Sequence, residues 1–176
     1  MEKKVLISYA TTHGSTREVA ERIAAVLQAK HLETELAEAK KIHSLNGYDA
    51  AVLGVPLYMF KMHGDGRRFL SRFRLKFKDG LPLAIFAGGP MEPDKVEEHM
   101  KGSREQVQNE LENFPEIQPK SVLIIGGRFD PGALKFPWNM IPAMKQLPAA
   151  DLRDWGEITT WAQSLPDTLE LGPAYR

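Results

Sequence analysis

A chain of 176 residues with 43% hydrophobic content is long enough to bury a substantial core, roughly 70% of the surface its unfolded form exposes. Its 23 basic and 23 acidic side chains balance, so nothing pulls the chain as a whole towards nucleic acid, and none is expected as a partner. The absence of cysteine excludes disulfides, thiolate catalysis, iron–sulfur clusters and zinc fingers, and five scattered histidines without HxH or HExxH spacing argue against a metal site; redox chemistry would need a bound organic cofactor.

Val5-Leu6-Ile7-Ser8-Tyr9 reads as a first strand. Val19, Ile23, Val26 and Leu27 then recur at helical spacing and predict a helix over 15–30, opened by a capping box formed by Ser15 and Glu18. Residues 34–39 form a weaker strand candidate, and 50–55, AAVLGV, form a near-continuous buried strand ending at Pro56. Residues 83–87 and 121–125 repeat that character, each followed by a Gly-Gly pair, as in a parallel sheet covered on both faces. Helical patterns lie at 64–77, with Phe69, Leu70 and Phe73 inward, and at 95–113, with Val96, Met100, Val107 and Leu111 inward. A last one runs over 154–165, with Trp155, Ile158, Trp161 and Leu165 inward. Strands alternating with helices predict an α/β fold, a doubly wound five-stranded parallel sheet in a three-layer sandwich. Residues 1–176 read as a single domain with a long loop insertion at about 128–150. The first apolar run is too short for a signal peptide, and no segment approaches the 18 or so apolar residues of a membrane span, so the expected location is the cytoplasm.

The turn Thr11, Thr12, His13, Gly14, Ser15 and Thr16 joins the first strand to the first helix. Such a junction aims unpaired backbone N–H groups, the positive end of a helix dipole and hydroxyl donors at one point, where a terminal phosphate fits. No Gly-x-x-x-x-Gly-Lys-Ser/Thr and no Gly-x-Gly-x-x-Gly occurs, which sets aside nucleotide hydrolysis and dinucleotide binding. The threonines and histidine here also replace the metal-holding acids of a phosphoryl-accepting receiver domain. In an open parallel sheet the ligand lies beyond the carboxyl ends of the strands, where strand order reverses, so this turn should converge with Pro56 to Gly64 and with Gly88 to Met91. Pro56, Leu57, Tyr58, Met59 and Phe60 form an irregular segment whose large apolar side chains need a flat cover. Gly88 and Gly89, before Pro90 and Met91, allow close backbone approach to the edge of such a group. The alternatives are a plain helix cap at Ser15, packing of Tyr58 and Phe60 into the core, and an ordinary turn at 88–89.

The hydroxyl-rich turn resembles the FMN phosphate loop of flavodoxins, Thr/Ser-x-Thr-Gly-x-Thr, with Thr11, Gly14 and Thr16 on the pattern and His13 where many flavodoxins carry a third hydroxyl. The stretch from Gly126-Gly127-Arg128 through Trp138 and Met140 to DLRDWGEITTWA, residues 151–162, resembles the C-terminal third of menaquinone-dependent protoporphyrinogen IX dehydrogenases and related flavodoxin-domain proteins. With YATTHGST and LGVPLYMFKMHG the resemblance covers most of the chain, and Asp-x-Arg-Asp-Trp is its more specific motif. Residues 57–63, LYMFKMH, depart from the Arg-Tyr-Gly-His-Tyr-His type of sequence of some of those dehydrogenases. The resemblance implies a flavodoxin-like fold and FMN as cofactor, its phosphate at 11–16, Tyr58 and Met59 against one side of the ring and Gly88 to Met91 at its edge. It also implies an FMN-dependent oxidoreductase in which a porphyrinogen substrate is oxidised and a quinone is the acceptor. The alternatives are a non-catalytic electron carrier that docks on a redox partner protein and a binding module that has lost its flavin. No acid–base dyad is legible, and no catalytic residue is assigned.

Two local features stand out. Lys61, Arg67, Arg68, Arg72, Arg74, Lys76 and Lys78, with Asp65 the one acid among them, form a basic stretch suited to propionates, anionic lipid or an acidic redox partner, unless acids such as Glu97, Glu98 and Glu110 balance it. The insertion carries Phe129, Leu134, Phe136, Trp138, Met140, Ile141 and Met144, broken by prolines and interleaved with Lys135 and Lys145, a composition that fits peripheral contact with the inner membrane face or a quinone-facing lip. Packing over one edge of the sheet would also account for it.

Overall fold

The computed structural model describes residues 3–58, 61–89 and 92–172. Five strands, β1 (Lys4–Tyr9), β2 (Glu33–Glu38), β3 (Ala50–Tyr58), β5 (Leu83–Gly88) and β6 (Ser121–Ile125), form a parallel sheet in the order β2-β1-β3-β5-β6. Helices α1 (Ser15–Ala29), α2 (Gly64–Lys78), α3 (Val96–Leu111) and α5 (Trp155–Thr168) cover it. The near-continuous apolar runs have a simple cause, since successive residues of a strand serve two cores. Val5, Ile7, Val52 and Phe86 pack with Ile23 and Leu27 of α1 and Ile158 and Leu165 of α5. Leu6, Leu53, Ile85 and Ile124 pack on the other face with Phe69 and Leu70 of α2 and Val107 of α3. This is the doubly wound three-layer sandwich expected. Strand order reverses between β1 and β3, whose carboxyl ends pair at Tyr9 and Gly54, and that edge positions the site.

Three expectations need correction. Gly14, at φ 89°, caps α1 and no side chain does, so Ser15 and Glu18 form no capping box; Glu18 turns instead to two arginines described below. β3 does not end at Pro56: it runs on to Tyr58 because β4 (Lys61–Met62) folds back antiparallel on it, Leu57 opposite Met62 and Tyr58 opposite Lys61. Pro56 takes part through its carbonyl, which accepts from the His63 N–H at 3.1 Å. The last helix continues past Leu165 through Pro166 to Thr168, where proline removes one backbone bond from the final turn.

The insertion is closed at its base by β7 (Arg128–Phe129) and β8 (Ala150–Asp151), paired antiparallel. Between them lie single turns at Pro131–Ala133 and Trp138–Met140 and the short helix α4 (Pro142–Lys145). No helix among the described residues is long and apolar enough to cross a membrane.

Candidate functional site

A cleft opens at the carboxyl ends of β1, β3, β5 and β6. From the predicted loops it gathers Ser15, Thr16, Pro56, Leu57, Tyr58, Gly88 and Gly89. Met59, Phe60, Pro90 and Met91 lie outside the described residues. Thr11 to Gly14 shape the turn rather than line the cleft. The Thr11 hydroxyl accepts from the Gly14 N–H at 2.8 Å, which takes that donor out of the cradle. The His13 ring stands edge-on to Tyr58 with centroids 6.5 Å apart.

The first turn of α1 keeps its donors for a ligand, because the Glu18 N–H bonds the Gly14 carbonyl and no side chain caps the N–H groups before it. Thr16 is 4% exposed, which fixes its hydroxyl at the helix start. This cradle fits the phosphate end of FMN. Replacing Ser15 and Thr16 together by leucine should therefore abolish FMN retention, read as loss of the flavin absorbance from purified protein, while flavin extracted from the unaltered protein should prove to be FMN and not FAD.

Tyr58 is half-buried between the His13 and His63 rings, and burial pushes its phenol up while the Thr12 hydroxyl beside it pulls the other way. The two predicted glycines differ. A Cβ at Gly89 would sit 2.9 Å from the Ile125 carbonyl, so glycine there answers to the neighbouring strand; at Gly88 the nearest atom is Pro56 Cα at 3.7 Å, leaving room for a ligand edge.

Local sequence reasoning missed Ile125, Gly126, Gly127, Arg128 and Arg153, which form the far wall. The Gly-Gly pair after the fifth strand marked the position of the first group, and Arg153 is the arginine of the Asp-x-Arg-Asp-Trp motif, which the sequence reading singled out without giving that residue a place in the site. Its side chain is 4% exposed and makes a fork on Asp151, Nε to Oδ1 at 2.8 Å and Nη2 to Oδ2 at 2.7 Å. Nη1 reaches Glu18 at 2.6 Å and the Ser15 carbonyl at 3.3 Å, and the guanidinium lies over the Trp155 ring at 4.7 Å. Hydrogen bonding to Arg153 holds the Asp151 carboxyl below the usual carboxylate range. Arg128 adds a second contact to Glu18 at 2.9 Å.

Beside the cleft, and sharing Leu57 and Gly89 with it, a groove of about 1060 Å³ runs along α3 past Lys61, His99 and Ser103. The Gln106 amide nitrogen is buried there with no partner among the described residues. Of the basic side chains on α2, half are paired with acids. Arg67 pairs with Glu110 at 3.6 Å, Arg68 with Asp65, and Arg74 with Glu116 at 3.7 Å, while Arg72 donates to the Ile42 carbonyl at 2.7 Å. Glu110 pairs there as expected; Glu116 does so in place of Glu97 and Glu98.

Residues 6–138 match the flavodoxin domain family. No curated protein sequence matches the chain. Among solved structures, oxidised flavodoxin 1 from Bacillus cereus is 16% identical, with 96% of this chain and 98% of that chain covered and a TM-score of 0.55. A flavodoxin from Pseudomonas aeruginosa is 15% identical over 95% of this chain and 99% of that one, TM-score 0.58. Rubredoxin oxygen:oxidoreductase from Desulfovibrio gigas is 15% identical over 99% of this chain but 38% of that one, TM-score 0.58. At such identities the structural likeness is one of fold. The family match and the cleft agree: the chain belongs to the flavodoxin domain family, and its cofactor is FMN.

Proposed function

We propose that this flavodoxin domain is an FMN-dependent oxidoreductase of the protoporphyrinogen dehydrogenase type, which works at a membrane surface with a quinone as acceptor. FMN supplies two-electron redox chemistry when bound; the protein supplies binding, orientation and electrostatics. In each turnover the porphyrinogen gives up two electrons and two protons, and the quinone takes up the same number to become a quinol. The Leu57 and Gly89 edge, where the groove along α3 joins the cleft, supports an approach for a substrate that is not part of the FMN seat.

One observation carries the membrane and quinone part of this reading. Phe136 is 78% exposed and Met140 71%, with Trp138, Ile141 and Leu147 also exposed, so these five side chains of the insertion are not covered by the chain's own core, whereas Phe129, Leu134 and Met144 are half-buried. They arise from the strand that begins at Arg128, a residue of the cleft wall. Between Asp130 and Asp151 there is no acidic residue, and Lys135 and Lys145 are present. Aromatic and aliphatic side chains among lysines, free of acids, suit an anionic lipid interface in which a quinone is dissolved.

The test is the double substitution Phe136→Ser with Trp138→Ser. The FMN spectrum and melting temperature should stay nearly unchanged, while quinone reduction and binding to anionic liposomes fall about tenfold or more, the loss of ~1.4 kcal/mol or more of apolar contact. A double variant with full quinone reductase activity and full liposome binding would refute the proposal.

A further inference from the structure

Arg153 is the only charged residue that is buried among the described residues. A guanidinium taken out of water is costly unless carboxylates and acceptors surround it, and here Asp151, Glu18 and the Ser15 carbonyl do so. Its position has a consequence for the cofactor. Glu18 sits in the first turn of α1, the turn whose N–H groups form the phosphate cradle. An uncompensated carboxylate there would satisfy the helix dipole itself and repel a dianionic phosphate.

We propose that Arg153 is a positioning residue that makes the cradle select phosphate-bearing flavin over riboflavin. It acts in two ways. Together with Arg128 it pairs Glu18, which lessens the negative charge that carboxylate sets beside the start of α1. By donating to the Ser15 carbonyl it also orients the peptide unit that carries the Thr16 N–H, because the C=O and N–H of a trans peptide point in opposite directions; a donor on the first aims the second away from Arg153. The fork on Asp151 and the Trp155 ring fix the guanidinium where both effects operate. The residue responsible for cofactor choice is therefore supplied by the segment after the insertion, beyond the 6–138 range that matches the family. The inference concerns cofactor selection and holds whichever acceptor the enzyme uses.

The test is titration of apoprotein with FMN and with riboflavin, followed by quenching of flavin fluorescence. Arg153→Gln should weaken FMN by about tenfold or more, as removal of one partner of a buried charge pair does, and change riboflavin affinity by less than about twofold. Adding Glu18→Gln to that variant should recover the part of the FMN affinity that the Glu18 charge costs, while the part due to the lost contact with the Ser15 carbonyl stays missing. Inorganic phosphate should raise the melting temperature of the unaltered apoprotein and not that of Arg153→Gln. Parallel weakening of both flavins, or a double variant as weak as the single one, would overturn the proposal and leave Arg153 as a structural clamp. If Arg153→Gln does not fold, Glu18→Gln alone decides: FMN binding should tighten about threefold or more with riboflavin unchanged, and an unchanged FMN-to-riboflavin ratio would overturn the proposal.

Discussion

Truncating Phe86 to alanine should lower the free energy of unfolding by about 3–5 kcal/mol, the range for removing a buried aromatic ring. Phe86 is fully buried in β5, and its ring fills the space over Gly54, where a Cβ would come within 2.0 Å of Cζ. Trp161 stands edge-on to it at 6.4 Å and is tied to Ser121 by a 2.8 Å hydrogen bond from its indole nitrogen. Gly54 has no side chain to move into the hole, and Trp161 is held in place, so the site collapses poorly and the cost falls at the upper end. Denaturant unfolding at constant m-value measures it. A loss below about 1 kcal/mol would show that the surroundings repack freely.

Gly126→Ala should strike both the fold and the cofactor. The added Cβ would lie 1.8 Å from the Leu152 carbonyl oxygen and 2.4 Å from its carbon, backbone atoms that no rotamer change can clear. Leu152 is also bonded through its N–H to the Gly127 carbonyl at 3.0 Å, so the 151–153 segment must leave that strand end as a unit. Overpacking of this kind costs about 1–3 kcal/mol or more. Arg153 moves with the segment and leaves Glu18, so FMN affinity should fall more than tenfold. Gly88→Ala is the control for the fold alone, since its nearest neighbour at 3.7 Å leaves space for the added methyl although the residue lines the cleft. Melting curves with and without saturating FMN separate the two effects. A Gly126→Ala protein with unaltered FMN affinity would mean that the 151–153 segment is dispensable for binding.

The strands were legible because each is buried on both faces: Val5 and Ile7 enter one core and Leu6 the other, and such a run leaves little alternative to a parallel sheet. β2, whose residues are only partly buried, showed a correspondingly weak pattern. The phosphate turn was legible because strand, glycine, hydroxyls and helix follow one another within a few residues. What escaped was non-local. Ser15 and Glu18 have capping-box spacing, but Arg153 offers Glu18 a stronger partner 135 residues away, and no local window contains both. Pro56 read as a strand end because proline commonly stops pairing, yet β4 supplies bonds to the strand beyond it. The exposure of Phe136, Trp138 and Met140 could be suspected from proline-broken apolar composition, which cannot pack as one long helix.

The separation between Glu18 and Arg153 also orders events at the ribosome. β1, the phosphate turn and α1 are made first, but the guanidinium that completes the seat follows 135 residues later, roughly 7–27 s at ordinary rates of synthesis. During that interval the nascent chain carries a helix start whose carboxylate has no partner from the far wall. The seat reaches its full affinity only when 151–153 docks, so tight flavin loading follows synthesis of that segment.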